Sequence, residues 1–174
     1  MATTQPEPWL RGPLPGIHPL LQPAAHAFVM AAEDVAAAVV DLSPIEIWTA
    51  PYGVTPVGFH VAHLSGSTDR LLTYARGAAL DDTQKAALGR ERMMAVERPP
   101  IERLVAQWQA TVDRALVQLA ATDPATLTDA REVGGDRLPS TVLGLLFHAA
   151  EHASRHTGQV VATAKLVRAA TAAG

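Results

Sequence analysis

Twelve residues near the C-terminal end, HAAEHASRHTGQ from His148 to Gln159, hold three histidines at steps of four. An α-helix puts residues four apart on one face, with Cβ atoms about 5–6 Å apart, so two imidazoles at that spacing can converge on one ion. His152 and His156 satisfy this, and so do His148 and His152. Each step of four over-rotates by roughly 40°, so all three do not aim at one point, and two ligands is the sensible number from this helix. A third must come from elsewhere. The stretch FHVAH offers His60 and His63, on a helix that could face the first across a bundle.

Three neutral imidazoles leave a divalent ion with a net 2+ charge and at least one open position, the arrangement of catalytic rather than structural zinc. Water or a thiol in that position is acidified toward hydroxide or thiolate. The chain has no cysteine, which excludes thiolate zinc sites, iron–sulfur clusters and cysteine nucleophiles; any thiol has to be an external molecule. Two other metal chemistries fail on the residues present. HAAEH matches the H-x-x-E-H pattern of inverzincin proteases, but no Asp or Glu follows Glu151 to complete the ligand set. A di-iron carboxylate bundle needs paired Glu-x-x-His motifs, and no glutamate here has a histidine three places on. The metal-free alternative is a set of core histidines bonded to backbone and polar neighbours. Five of the seven histidines fall on two helices at metal-compatible spacing, which favours a shared site; His18 and His26 stand outside it.

The elements that position these residues are helical. Prolines 6, 8, 13, 15, 19 and 23 crowd the first two dozen residues, so residues 1–22 are expected as an extended arm. From Pro23 a stripe of Phe28, Ala32, Val35 and Val39 predicts helix one, ended by Ser43-Pro44. Thr55-Pro56 reads as the cap of helix two, which runs to Gly77. Residues 78–98 lack a sustained apolar period and read as a long crossover, with a short helical piece in DDTQKAALG after an Asp cap. Ile101, Leu104, Val105, Trp108, Val112, Ala115, Leu116 and Leu119 predict helix three. A polar connection ending in Gly134-Gly135 leads to helix four, from about Pro139 or Ser140 toward Ala170. Four helices and no convincing strand predict an all-α, four-helix bundle forming one domain over residues 1–174.

HASRHTGQ after HAAE resembles the closing motif of the DinB-like superfamily, which includes the YfiT-like proteins: H-x-x-x-H followed by a short run ending in Gly-Gln. FHVAHLSGSTDRLLTYARG is similar to that superfamily's second helix, and the likeness runs from about Leu20 through the last helix. The resemblance implies an up-down-down-up bundle with the long crossover between helices two and three. It implies His63, His152 and His156 as ligands of a divalent ion such as zinc, nickel or manganese, and a homodimer. Activities in the superfamily include thiol-dependent S-transfer and isomerisation. Here Thr157 stands where arginine is frequent, and His60 and His148 are additional, placed to support the ligands from behind.

Around the ligands, Gln159 is a candidate partner for a ligand histidine or a substrate, and Gly158 removes bulk beside the pair or allows close helix packing. Asp69 and Arg70 are expected as a solvated pair, or else as a hold on a polar substrate. Trp48, Trp108 and Tyr74 are expected in the core. The functional expectation is a metal-dependent enzyme acting on a small molecule, with a low-molecular-weight thiol as co-substrate in an S-transfer. A hydrolase using water and a non-catalytic metal-binding bundle are the alternatives. Fourteen basic against seventeen acidic residues, net −3, give no reason to expect nucleic acid or an anionic membrane as a partner. The opening residues have no basic segment followed by an apolar one, and the run from Ala24 to Val40 is broken by Glu33 and Asp34, so a cytoplasmic location is expected.

Overall fold

The computed structural model describes residues 5–172 and is mostly helical. Four long helices dominate: α1 (Gln22–Val39), α3 (Val57–Ala75), α6 (Ile101–Ala121) and α7 (Val142–Ala172). Short helices α2 (Pro44–Ile47), α4 (Asp82–Glu91) and α5 (Met94–Glu97) fill the connections. Each long helix buries the stripe its period supplies: Phe28, Ala32, Val35 and Val39 in α1, and Leu104, Trp108, Val112, Ala115 and Leu119 in α6. These stripes join those of α3 and α7 in one core. α3 and α1 each pack mainly against α6 and α7. Arg168 donates to the Ala38 carbonyl at 2.8 Å, and Gln118 donates to the Leu72 carbonyl at 3.0 Å. The first contact joins the C-terminal ends of α1 and α7, and the second those of α3 and α6.

Local chemistry sets the ends of the helix that carries His60 and His63. α3 begins at Val57 after Pro56, and no side chain caps it, so Thr55 does not make the predicted cap. Its last turn closes with Gly77 N–H donating to Tyr74 O and Ala78 N–H to Thr73 O, with Gly77 at φ 74°. Only glycine takes that left-handed backbone without a Cβ penalty. Trp48 packs across the start of α3: a Cβ on Gly58 would lie 2.6 Å from its ring. Ser43, expected only to end helix one, instead forms a capping box with Glu46 that starts α2.

The crossover holds the predicted short helix. Asp81 accepts from Gln84 N–H at 2.7 Å while the Gln84 side chain accepts from Asp81 N–H at 3.1 Å, a reciprocal cap that begins α4. The described part of the proline-rich arm folds back along α1. Ile17 and Leu21 are buried, Arg11 clasps Glu33 with two bonds of 2.6 and 2.8 Å, and Gln22 bonds the backbone of Leu14 and Ile17. The first four residues of the arm lie outside the described residues.

The expectation of no strand is corrected. The polar connection before α7 is an antiparallel hairpin of β1 (Ala130–Val133) and β2 (Leu138–Thr141), with Ala130 opposite Thr141 and Val133 opposite Leu138. Its four-residue strands are half exposed and half partly buried, and one contains Pro139, so neither alternation nor β-propensity could build up a signal. The last helix therefore begins at Val142, not at Pro139 or Ser140. Among the described residues no helix is long and apolar enough to cross a membrane.

Trp108 is 1% exposed and its indole N–H donates to Ala31 O at 3.4 Å, linking α6 to α1. Trp108→Ala should cost about 3–5 kcal/mol, read as a lowered urea midpoint with the far-ultraviolet helical signal retained below the transition.

Candidate metal centre

α3 and α7 run side by side so that His63 faces His152 and His60 faces His156. The Nε2 atoms of His63 and His152 lie 3.1 Å apart, and the Nδ1 atoms of His60 and His156 lie 3.0 Å apart. Moving up α3 from residue 60 to 63 is moving down α7 from 156 to 152, so the helices are antiparallel here. One nitrogen from each of His63, His152 and His156 lies within 4.8 Å of the other two. Zinc–nitrogen bonds of about 2.0–2.1 Å set the edge of a tetrahedral site at about 3.3–3.4 Å, so small ring rotations would bring the three nitrogens onto one ion. The donor set fits a divalent transition metal: three imidazoles and no competing thiol.

The His63 nitrogen that points away from the cluster is also engaged. His63 Nδ1 donates to Glu91 Oε2 at 2.9 Å. An ionised carboxylate only accepts, so this contact puts the proton on Nδ1 and leaves the Nε2 lone pair for the cluster. The other Glu91 oxygen accepts from Arg70 Nη1 at 2.5 Å. His60 is 7% exposed, and its Nδ1 contacts that of His156. Phe59 stacks on the His63 ring, with centroids 5.9 Å apart and planes 5° from parallel, and forms an apolar wall.

Burial pushes the His156 imidazole down to about 4, and the neighbouring His63, His152 and His60 rings add to the shift. Burial likewise lowers His152 and His60, with His63 contributing to both. Burial alone would raise the Glu91 carboxyl, but the bonds from His63 and Arg70 outweigh it and hold it below the usual carboxylate value. At neutral pH His60, His152 and His156 are therefore uncharged, the protonation state that metal ligation requires.

The other candidates separate. His148 is exposed, pairs with Glu151 at 3.3 Å, and keeps its ring 5.6 Å from that of His152. Gln159 is exposed and bonds no histidine among the described residues, and Gly158 is exposed with nothing within 4 Å of an added Cβ. Thr157 is buried, and its hydroxyl has no partner among the described residues. Asp69 and Arg70 are not a solvated pair: Asp69 accepts from Gln84 at 2.6 Å and Arg70 binds Glu91, so both hold α4. His18 and His26 bond the arm's own backbone, Trp48 is buried, and Tyr74 packs partly buried against the core.

Glu91 is the residue that motif reading missed. Gln84 and Glu91 lie seven apart, two turns along α4, and both reach α3. That spacing of polar residues was the one available signal.

Residues 13–160 match the family model of the DinB superfamily. The chain belongs to the DinB superfamily. The matched span contains His60, His63, Glu91, His148, His152, His156 and Gln159, so the histidine cluster lies wholly within the DinB-like part of the chain. No curated protein matches the sequence.

The pKa shift of His156 makes the metal-free protein acid-sensitive. The unfolded imidazole takes up its proton near 6.5 and the folded one near 4, so the unfolded state binds more protons between those values and stability falls as pH drops through that window. Urea midpoints of metal-free protein should decline from pH 6.5 toward 4. His156→Gln should show a shallower decline over the same range; equal slopes would remove His156 as a cause.

Proposed function

We propose that this DinB-superfamily protein is a single-domain, metal-dependent enzyme in which His63, His152 and His156 hold one divalent ion, zinc, nickel or manganese, and an external low-molecular-weight thiol is the co-substrate. The observation that carries it is the mutual approach of three imidazole nitrogens within 4.8 Å. The helix pairings support an up-down-down-up bundle: α3 antiparallel to α7, and α1 and α7, like α3 and α6, joined at their C-terminal ends. In this reading the protein is cytoplasmic and a homodimer, the assembly that the family likeness implies.

A bound ion would supply Lewis acidity at its open position, lowering the pKa of a thiol or water there. The chain's own residues do the rest. Glu91 holds the His63 proton on Nδ1. His60 steadies His156, and burial keeps His156 neutral. Phe59 lines the approach with an apolar ring suited to the hydrocarbon part of an electrophile. The thiol is favoured over water by the family likeness, and because the chain has no cysteine that thiol has to be an external molecule.

Elemental analysis of metal-supplemented protein should find one ion per chain, and His152→Ala should lose it at concentrations that saturate the wild type. His60→Ala should retain the ion with affinity lowered about 10–100-fold. A screen of bacterial thiols against small electrophiles should show turnover that needs metal, saturates with thiol and disappears in His156→Ala. Product analysis decides the transferred group: thiol-independent hydrolysis alone would make the protein a hydrolase, and bound metal with neither reaction would make it a metal-binding protein without turnover.

A further inference from the structure

Glu91 reaches His63 from the side away from the histidine cluster, and its seat on α3 is shaped around it. His63, Gly66 and Arg70 lie at steps of three and four along one stripe of α3. The Glu91 carboxylate lies across that stripe, one oxygen accepting from His63 Nδ1 at 2.9 Å and the other from Arg70 Nη1 at 2.5 Å. Between those partners, a Cβ built on Gly66 would overlap Glu91 Oε1 and come within 2.9 Å of Arg70 Nη1. The bare backbone at Gly66 is what lets the carboxylate reach both. Glu91 is only 9% exposed, and it is carried by the crossover, 28 residues from the ring it holds.

We infer that Glu91 is the positioning residue of the metal centre and that helix α4 is therefore part of that centre. The carboxylate fixes the proton on His63 Nδ1 and turns the Nε2 lone pair toward His152 and His156; a ligating histidine is oriented through the bond its other nitrogen makes. Docking of α4 and binding of the ion then favour each other, and such coupling is reciprocal. The inference rests on the metal-centre reading given above and adds to it the element that holds the ligand in place.

The test is zinc affinity by chelator competition on the full chain, for wild type, Glu91→Ala, Gly66→Ala and the double variant, with ¹⁵N NMR of the His63 ring in metal-free protein. Glu91→Ala should weaken zinc about 10–100-fold, and the Nδ1–H form of His63 seen in wild type should be lost. Gly66→Ala should weaken zinc to a similar degree, with a urea midpoint no lower than that of Glu91→Ala. Alanine favours a helix over glycine, and the atoms it displaces, Glu91 Oε1 and Arg70 Nη1, are the far ends of flexible side chains, so the change acts on zinc through the Glu91 contact and not through loss of the helix. The double variant should bind no more weakly than Glu91→Ala, because both changes remove one contact. Wild type without stoichiometric zinc sinks the metal-centre reading, and the His63 proton position then decides whether Glu91 orients the ring. Wild type that binds zinc, with Glu91→Ala and Gly66→Ala binding equally tightly, overturns this inference alone. Losses that multiply in the double variant also overturn it, since Gly66 and Glu91 would then act apart.

Discussion

The close antiparallel packing of α3 on α7 is the constraint on which the rest of this structure depends. Fully buried Val57, Val61 and Leu64 on α3 and Ala149, Ala153 and Val160 on α7 belong to the same core. Alanines on the α7 side keep that face low, which allows two helix backbones to approach closely. Once the register is set, the imidazoles follow: His60 answers His156, and His63 answers His152. A slip of α7 by one residue would turn each ring by about 100° and scatter the cluster. Apolar packing therefore determines whether there is a site, and the histidines only declare what kind.

That packing has an electrostatic consequence. Rings crowded between two helices cannot all carry charge, because each is partly desolvated and each repels its neighbours. The folded chain keeps His156, His152 and His60 neutral, and the Glu91 carboxylate, paired with Arg70, bonds His63 at the cluster's outer edge. Glu91 bonds the His63 nitrogen that points away from the cluster, so its charge lies outside the group of facing imidazole nitrogens. The polar groups here are costly to bury and form a set that could hold a metal ion, a conflict between local cost and global fold of the kind that marks functional sites.

The sequence shows the fold and the site unequally. The four long helices are legible because Phe28 to Val39 and Ile101 to Leu119 repeat apolar residues at helical steps, and burial follows those steps. The histidine set is legible for the same geometric reason: steps of three and four on two helices leave few ways to face each other. The hairpin is not legible, because AREV and LPST are too short and too exposed to carry a period. The arm shows a different failure: its prolines forbid a long helix, but nothing local says that Ile17 and Leu21 are buried. Glu91 was hidden for a further reason. It sits in the crossover, where no apolar period marks which side chains are engaged, and its partners on α3 are fixed by tertiary packing.

Two glycines make the same point from opposite sides. Gly158, inside the H-x-x-x-H-x-G-Q run, attracts attention by its place beside the ligands, yet it is exposed and an added Cβ would meet nothing. Gly66 lies in an unremarked turn of α3, and an added Cβ there would strike the carboxylate that holds His63. A glycine inside a helix costs roughly 0.5–1 kcal/mol relative to alanine. At Gly158 no contact among the described residues offsets that cost, whereas at Gly66 it is set against a buried carboxylate bonded to both His63 and Arg70. Nearness to a motif in the chain is thus a poor guide to a glycine's part in the site; what matters is which side chain needs the space it leaves.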